Sequence, residues 1–189
     1  RVLFRSPDTQ LVLDGIKAGS LVRALYTYCQ GVVLGLETEL AVRTTDDRHP
    51  ARVRRLVAAV DTHMAPGGVL TGAGGGDGGL FAGITARYLA LVATDLPGAA
   101  AGDAAARDTA RRLVLTSAQT AWDNRQTVDG LPLFAAFWDR TAEIPAAGGA
   151  AAKFVQGAVN SSEIPERDLS VQVSGWMLME AAHTVAQTG

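Results

Sequence analysis

Apolar residues recur along the chain in two alternating styles. Residues 29–43, CQGVVLGLETELAVR, are apolar on most faces at their start. Residues 50–64 place Val53, Leu56, Val57, Val60 and Met64 on one stripe, with Arg52, Arg54, Arg55 and Asp61 largely elsewhere. Residues 80–95 are apolar nearly all round. Residues 104–122 are amphipathic again, setting Leu113, Val114, Ala118, Ala121 and Trp122 against Arg107, Asp108, Arg111 and Arg112. Residues 168–187 return to the all-round apolar style. Each spacing predicts a helix. A helix apolar on every side must be covered on every side, whereas one with a single stripe can cover others from outside. Inner, outer, inner, outer, inner is the order of helical hairpins arranged in a toroid, and short links between neighbours favour antiparallel packing. No internal repeat supports a solenoid. Five such helices are too few to close a ring, so the inner helices are expected to lack partners on one side.

Between the helices the pattern changes. Residues 10–28 alternate loosely about a turn running from Asp14-Gly15 to Gly19, which predicts a β-hairpin. Residues 97–103 and 146–152 are rich in Ala and Gly and read as loops. Residues 129–145, DGLPLFAAFWDRTAEIP, are too broken for a helix and are expected to lay Phe134, Phe137 and Trp138 across one end of the barrel. Trp176, Met177 and Met179 read as core.

Composition narrows the classes of partner. The chain has 189 residues and a formal charge of −2, with Lys17 and Lys153 its only lysines. No concentrated basic face is available for nucleic acid. Cys29 is alone, so no internal disulfide forms. No run of about 18 apolar residues marks a membrane span. His49, His63 and His183 lack ligand-like spacing, and nothing calls for a metal or a cofactor. The opening residues RVLFRS match a translation of CGT GTG CTC TTC CGA TCT, a common sequencing-adapter end. Residues 1–6 are therefore expected to be foreign, with the natural sequence starting near Pro7 and truncated upstream.

One stretch, TGAGGGDGGLFAG at residues 71–83, concentrates the candidate chemistry. Gly74, Gly76 and Gly79 satisfy G-x-G-x-x-G, but no buried strand precedes them, the neighbours read as helices, and Asp77 would repel a pyrophosphate. Two readings stay open for Asp77: a cap on the following helix, or a carboxylate hydrogen-bonding a polar ligand where the glycines allow close approach. Similarly, Tyr26, Tyr28 and Gln30 stand just before an inner helix with Gly31 in its first turn. Aromatic faces beside amides and carboxylates suit a sugar; the two tyrosines could equally pack within the hairpin. Asp46-Asp47 could serve acid/base chemistry, but precedes Pro50 in the manner of a solvated cap.

The motif YTYCQGVVLG, followed about 45 residues later by GGGDGGLFAGITARYLA, resembles glycoside hydrolase family 76, the endo-α-1,6-mannanase family. RDLSVQVSGWMLMEAAHTV is similar to the closing inner helix of its actinobacterial members. The resemblance covers roughly residues 10–187. It implies an all-α (α/α)6 toroid, present here as a C-terminal half with a small β-hairpin, in agreement with the alternation of helices. It implies hydrolysis of α-1,6-linked mannan with retention, one carboxylate acting as nucleophile and the other as general acid/base. The family's adjacent catalytic aspartates lie upstream of the tyrosine motif, where this chain has no match, so no catalytic residue is assigned and the isolated chain is expected to be inactive. The carry-over is to substrate lining: Tyr28, Gln30, Gly31, Gly75, Gly76, Asp77 and Phe81. The chain departs from the family at Cys29, where Asn is frequent, and at Ala82, where Lys is frequent, which alters the hydrogen bonding offered to a sugar. Another sugar enzyme on a toroid, such as an epimerase, and a non-catalytic glycan-binding protein are the alternative classes.

Overall fold

The computed structural model describes residues 4–188. Residues 1–3 of RVLFRS lie outside the described residues. The remainder of that hexapeptide is paired with the chain that follows: Arg5 bridges Val12, and Leu13 N–H donates to the Phe4 carbonyl. Five α-helices are described, each where the apolar periodicity predicts one: α1 (Thr27–Arg43), α2 (Arg48–Met64), α3 (Phe81–Asp95), α4 (Ala101–Asp123) and α5 (Leu169–Gln187). Helix α4 starts earlier than expected. Residues 101–103, read as loop, form its first turn, with Asp103 and Ala104 N–H groups donating to the Ala100 carbonyl.

The helices form two layers. In the inner layer α3 lies between α1 and α5, and small residues set the spacing. A Cβ on Gly31 would come within 2.8 Å of the Thr85 Cα, and one on Gly83 within 2.7 Å of the Ser174 Cα. Gly83 N–H donates to Ser174 Oγ at 2.9 Å. The contacts advance in step, Gly31 with Thr85 and Gly35 with Tyr88, Gly79 with Ser170 and Gly83 with Ser174, so the three inner helices run parallel. The outer helices α2 and α4 also run parallel to each other, joined by ion pairs from Arg54 to Asp103 and from Arg112 to Asp61 (2.8 Å). Their apolar stripes, Val53, Leu56, Val57 and Val60 on α2 and Leu113 and Val114 on α4, are buried against the inner layer. This is about half of an α/α toroid.

Connection lengths polarise the molecule. Residues 44–47 and 96–100 are short links at the C-terminal ends of α1 and α3; residues 65–80 and 124–168 are long and gather at the N-terminal ends of the inner helices. The long segments carry the small sheets. Hairpins β1–β2 (Gly15–Lys17, Ser20–Val22), β3–β4 (Gln126–Val128, Leu131–Leu133) and β5–β6 (Lys153–Val155, Ala158–Asn160) are each antiparallel pairs. All three turn on two residues with positive φ: Ala18-Gly19, Asp129-Gly130 and Gln156-Gly157. That is the two-residue turn matching the twist of paired strands. The first hairpin thus turns at Ala18-Gly19, and Asp14-Gly15 leads into its first strand rather than forming the turn. The other two hairpins are not anticipated by the apolar pattern. Phe134 and Trp138 are buried, and Phe137 is half-buried.

Trp176 corrects a sequence expectation: it is 65% exposed, while its neighbour Leu178 is fully buried. Met177 and Met179 are half-buried. Trp176 lies with Val32 and Leu36 of α1 and Tyr88 and Leu91 of α3 around a cleft of about 980 Å³ on the inner layer's free side. That is the side on which inner helices of an incomplete ring lack partners.

Candidate functional site

At the long-loop end the first turns of α1 and α3 bring three aromatic rings together. Phe81, the first residue of α3, lies 4.6 Å from the Tyr28 ring and 5.3 Å from the Tyr26 ring, centroid to centroid, with tilted planes. Tyr26 and Tyr28 are stacked at 6.0 Å. Such offset and tilted pairs are the favoured geometry for aromatic quadrupoles. Tyr26 is partly exposed and Tyr28 and Phe81 are half-buried, so the cluster presents ring surface as well as packing.

Asp14, which the sequence shows only as a turn residue, orients this cluster. Its Oδ1 accepts the Tyr28 hydroxyl at 2.7 Å, and Cys29 Sγ lies 3.8 Å away. The hydrogen bond to Asp14 holds the Tyr28 pKa well above the ordinary phenol value. Burial pushes the Cys29 thiol pKa up.

Gln30 is placed beneath the cluster rather than on its surface. It is fully buried. Its Oε1 accepts the Val12 N–H at 2.7 Å, and its Nε2 donates to the carbonyls of Val12 and Tyr26, both at 2.9 Å. The amide therefore fixes the segment before β1 to the first turn of α1. Gly31 is where α1 touches α3. Both residues position the tyrosines.

The glycine stretch has a structural role beside its two sequence readings. Residues 76–80 form a 3₁₀ turn leading directly into α3, and Asp77 makes no capping bond to it. Instead Asp77 Oδ2 accepts the N–H of Val159 in β6 at 3.0 Å. Phe154 and Val159 pair across β5–β6, one position removed from the turn-flanking pair, so the Val159 N–H points away from its partner strand. Asp77 takes that edge donor. Gly76 has φ 58°, and a Cβ there would come within 2.8 Å of the Asn160 carbonyl carbon. A Cβ on Gly75 would strike the carboxylate of Asp168 and the Ser161 hydroxyl. Residues 75–77 are thus the seat of the β5–β6 hairpin.

Asp168, at the start of α5, locks the seat. Its Oδ2 accepts the Gly76 N–H at 2.6 Å and the Ser162 N–H at 3.1 Å, and its Oδ1 accepts the Ser162 hydroxyl. Burial opposes its ionisation, but the Ser162 hydroxyl and the two N–H donors outweigh burial and leave its pKa lowered. Asp168 was invisible to sequence reasoning because its partner Gly76 is 92 residues away.

Asp46-Asp47 lies at the other end of the molecule. Helix α1 is 17 residues long, which separates the two ends by about 25 Å. Asp46 is tied to Arg48 by a 2.6 Å ion pair and accepts the Arg48 N–H at 3.0 Å, and Asp47 is exposed. The arrangement is a solvated turn. Among the described residues no group of His, Cys, Asp and Glu could hold a metal ion, and no helix is long and apolar enough to cross a membrane.

The described residues thus form a two-layered half-toroid of α-helices with an aromatic cluster at its braced, long-loop end. The chain belongs to glycosyl hydrolase family 76, whose family model matches residues 1–171. It is similar in structure to the GH76A α-1,6-mannanase from Salegentibacter sp. HEL1_6, with a TM-score of 0.72 and 28% identity over 97% of this chain and 48% of that one. It is similar also to two inactive variants of that enzyme in which two consecutive aspartates are replaced. One, with alanines, is in complex with α-1,6-mannotetrose (TM-score 0.70, 27% identity, 97% of this chain and 48% of that one). The other, with asparagines, is in complex with α-1,6-mannotriose (TM-score 0.71, 28% identity, with the same coverage). The chain therefore spans about half the length of the structures it matches. No curated protein matches its sequence.

Proposed function

We propose that this chain is the C-terminal half of a retaining glycoside hydrolase acting on α-1,6-linked mannan, and that it supplies glycan-binding surface while the reacting carboxylates come from the remainder of the toroid. The observation that carries this reading is the Tyr26–Tyr28–Phe81 cluster at the N-terminal ends of two inner helices, in a chain similar to half of an α-1,6-mannanase. Tyr28 and Phe81 offer ring faces to a sugar, and Asp14 fixes the Tyr28 hydroxyl. Gln30, Gly31, Gly75 and Gly76 hold the surface in shape, and Asp77 braces the adjoining hairpin. In the retaining mechanism one carboxylate attacks the anomeric carbon while a second, about 5 Å away, protonates the leaving oxygen. The only consecutive aspartates here, Asp46-Asp47, sit at the far end and take no part. Residues 1–6 belong to this reading as foreign sequence, testable by sequencing the source DNA across the 5′ junction.

The test is incubation of the 189-residue chain with linear α-1,6-mannan, following binding by calorimetry and reducing ends by colorimetry. Saturable binding without release of reducing ends is expected. Phe81→Ala should weaken binding about tenfold, the scale of one aromatic contact. A clear hydrolysis rate from this chain would overturn the placement of the chemistry elsewhere, and no binding at all would overturn the glycan reading.

A further inference from the structure

The free side of the inner layer is an apolar face with a charged end. Leu36 of α1 is 57% exposed, Val32 is exposed one turn before it, and Trp176 of α5 shares their cleft. Contiguous exposed apolar surface marks an interface, and the placement of its charges defines what can cover it. Three carboxylates, Glu39, Asp95 and Glu180, line the cleft with one cation, Arg87. The close approaches of Gly31 to Thr85, Gly35 to Tyr88 and Gly83 to Ser174 fix the register of the three helices. In that register Trp176 is level with Val32, and Glu180 with Leu36. Glu39 follows nearly a turn beyond Leu36, and Asp95 is the last residue of α3. Arg87 stands nearer the N-terminal ends than any of the three acids. The face is therefore apolar toward its N-terminal end and acidic toward its C-terminal end, where the negative ends of three parallel helix dipoles add to the charge.

These carboxylates are only lightly engaged. Glu39 meets Arg43 in an exposed ion pair of 3.0 Å, of the kind that contributes little. Among the described residues the Glu180 carboxylate accepts only the Trp176 indole N–H, at 3.2 Å. A second copy of the chain is a poor cover for such a face. A two-fold axis parallel to the helices would set α1 of one copy beside α5 of the next, with Glu39 and Glu180 a turn apart and like charges opposed at both seams. Turned end for end, the copies would lay the apolar half of each face against the carboxylates of the other. A partner that is apolar over the first half and basic over the second matches in both respects.

We infer that this face is a charge-coded seam for the other half of the toroid, and that the helix laid against it carries apolar residues facing Val32, Leu36 and Trp176 and Lys or Arg facing Glu39 and Glu180. The chain spans 48% of the structure it matches, so that half is the occupant to which the face is assigned. The seam rests on the half-toroid part of the reading above and not on its glycan part. The apolar band supplies the contact, and the acidic band sets the register and rejects a second copy.

The test uses two synthetic amphipathic helices of the length of α1, 17 residues. Both carry the same leucine stripe; one has lysines in its last two turns and the other has glutamates in their place. Binding to the 189-residue chain is followed by calorimetry, and Trp176 emission is read as the difference from a Trp176→Phe protein. The lysine helix should bind about tenfold more tightly than the glutamate helix and shift Trp176 emission to the blue. A protein carrying Glu39→Gln and Glu180→Gln should keep its melting curve and lose the preference. One carrying Asp47→Asn and Asp139→Asn, the same change of charge elsewhere, should keep it. Equal binding of the two helices, binding of neither, or a preference that survives Glu39→Gln with Glu180→Gln overturns the seam. So does a concentration-dependent dimer in sedimentation that Trp176→Ser abolishes, which would give the face to a second copy. Mannan binding is measured on the same samples: its failure beside an intact lysine preference overturns the glycan reading and leaves the seam standing.

Discussion

Gln172 and Phe134 are joined by two hydrogen bonds: the Phe134 N–H donates to Gln172 Oε1 at 2.9 Å, and Gln172 Nε2 donates back to the Phe134 carbonyl at 3.0 Å. Gln30 grips Val12 in the same way. Both glutamines occupy the first turn of an inner helix, and both complete the amide with a third bond, Gln172 to the Glu166 carbonyl and Gln30 to the Tyr26 carbonyl. A side-chain amide can satisfy one backbone donor and one backbone acceptor at once. That lets an extended segment end in the interior without a partner strand.

Replacing either glutamine by alanine leaves a partly buried backbone N–H and C=O without their partner. The cost of such orphaned groups is about 1–3 kcal/mol each. Gln172→Ala and Gln30→Ala should each lower the urea midpoint by an amount equivalent to roughly 2–4 kcal/mol at unchanged m-value. Gln172→Glu, which keeps the acceptor and loses both donors, should fall between Gln172→Ala and the unsubstituted chain.

Asp168 ties acid stability to the glycine seat. Its folded-state pKa is lowered, so its contribution is fully present above the unfolded value, near pH 4, and is lost as pH falls through the folded value. Asp168→Asn removes that contribution at every pH. Thermal melts between pH 7 and pH 3 should therefore show a clear deficit of the variant at neutral pH that shrinks as the solution is acidified. A deficit that stays constant would place the stabilisation in the shape of the side chain rather than its charge.

On α5, Trp176 and Leu178 have opposite fates despite their proximity in sequence. Trp176→Ser should change the stability of this chain by no more than about 0.5 kcal/mol, because the ring faces solvent. Leu178→Ala should cost about 2–5 kcal/mol by opening a cavity in the core. Denaturant unfolding of the two variants checks both. When the rest of the toroid is supplied, Trp176 should become shielded from acrylamide quenching.

That pair also shows where sequence reasoning stops. The helices were legible because burial of a stripe or of all faces leaves a periodic trace, and the parallel order of the inner layer follows from short links alternating with long ones. Trp176 was not, since an all-round apolar helix does not say which of its covers lies within the same stretch of chain. Hairpin β3–β4 had a readable signal in Asp129-Gly130, obscured by Pro132 and the aromatic run behind it. Hairpin β5–β6 turns on Gln156-Gly157 within an Ala/Gly-rich region and left almost no trace. The tyrosine motif and Phe81 stood out as aromatic residues beside glycines at helix starts. Asp14 and Asp168 did not, because their meaning depends on partners brought together only by the fold.

The unequal connections have a practical corollary for anyone engineering the molecule. The links at residues 44–47 and 96–100 open onto solvent at the end away from the aromatic cluster. A reporter domain or an affinity handle spliced there would be carried by the scaffold well away from the aromatic cluster. The hairpins at the opposite end, each an excursion closed by the same kind of two-residue turn, are natural units for exchange between relatives, a way to vary the rim while keeping the helices beneath it.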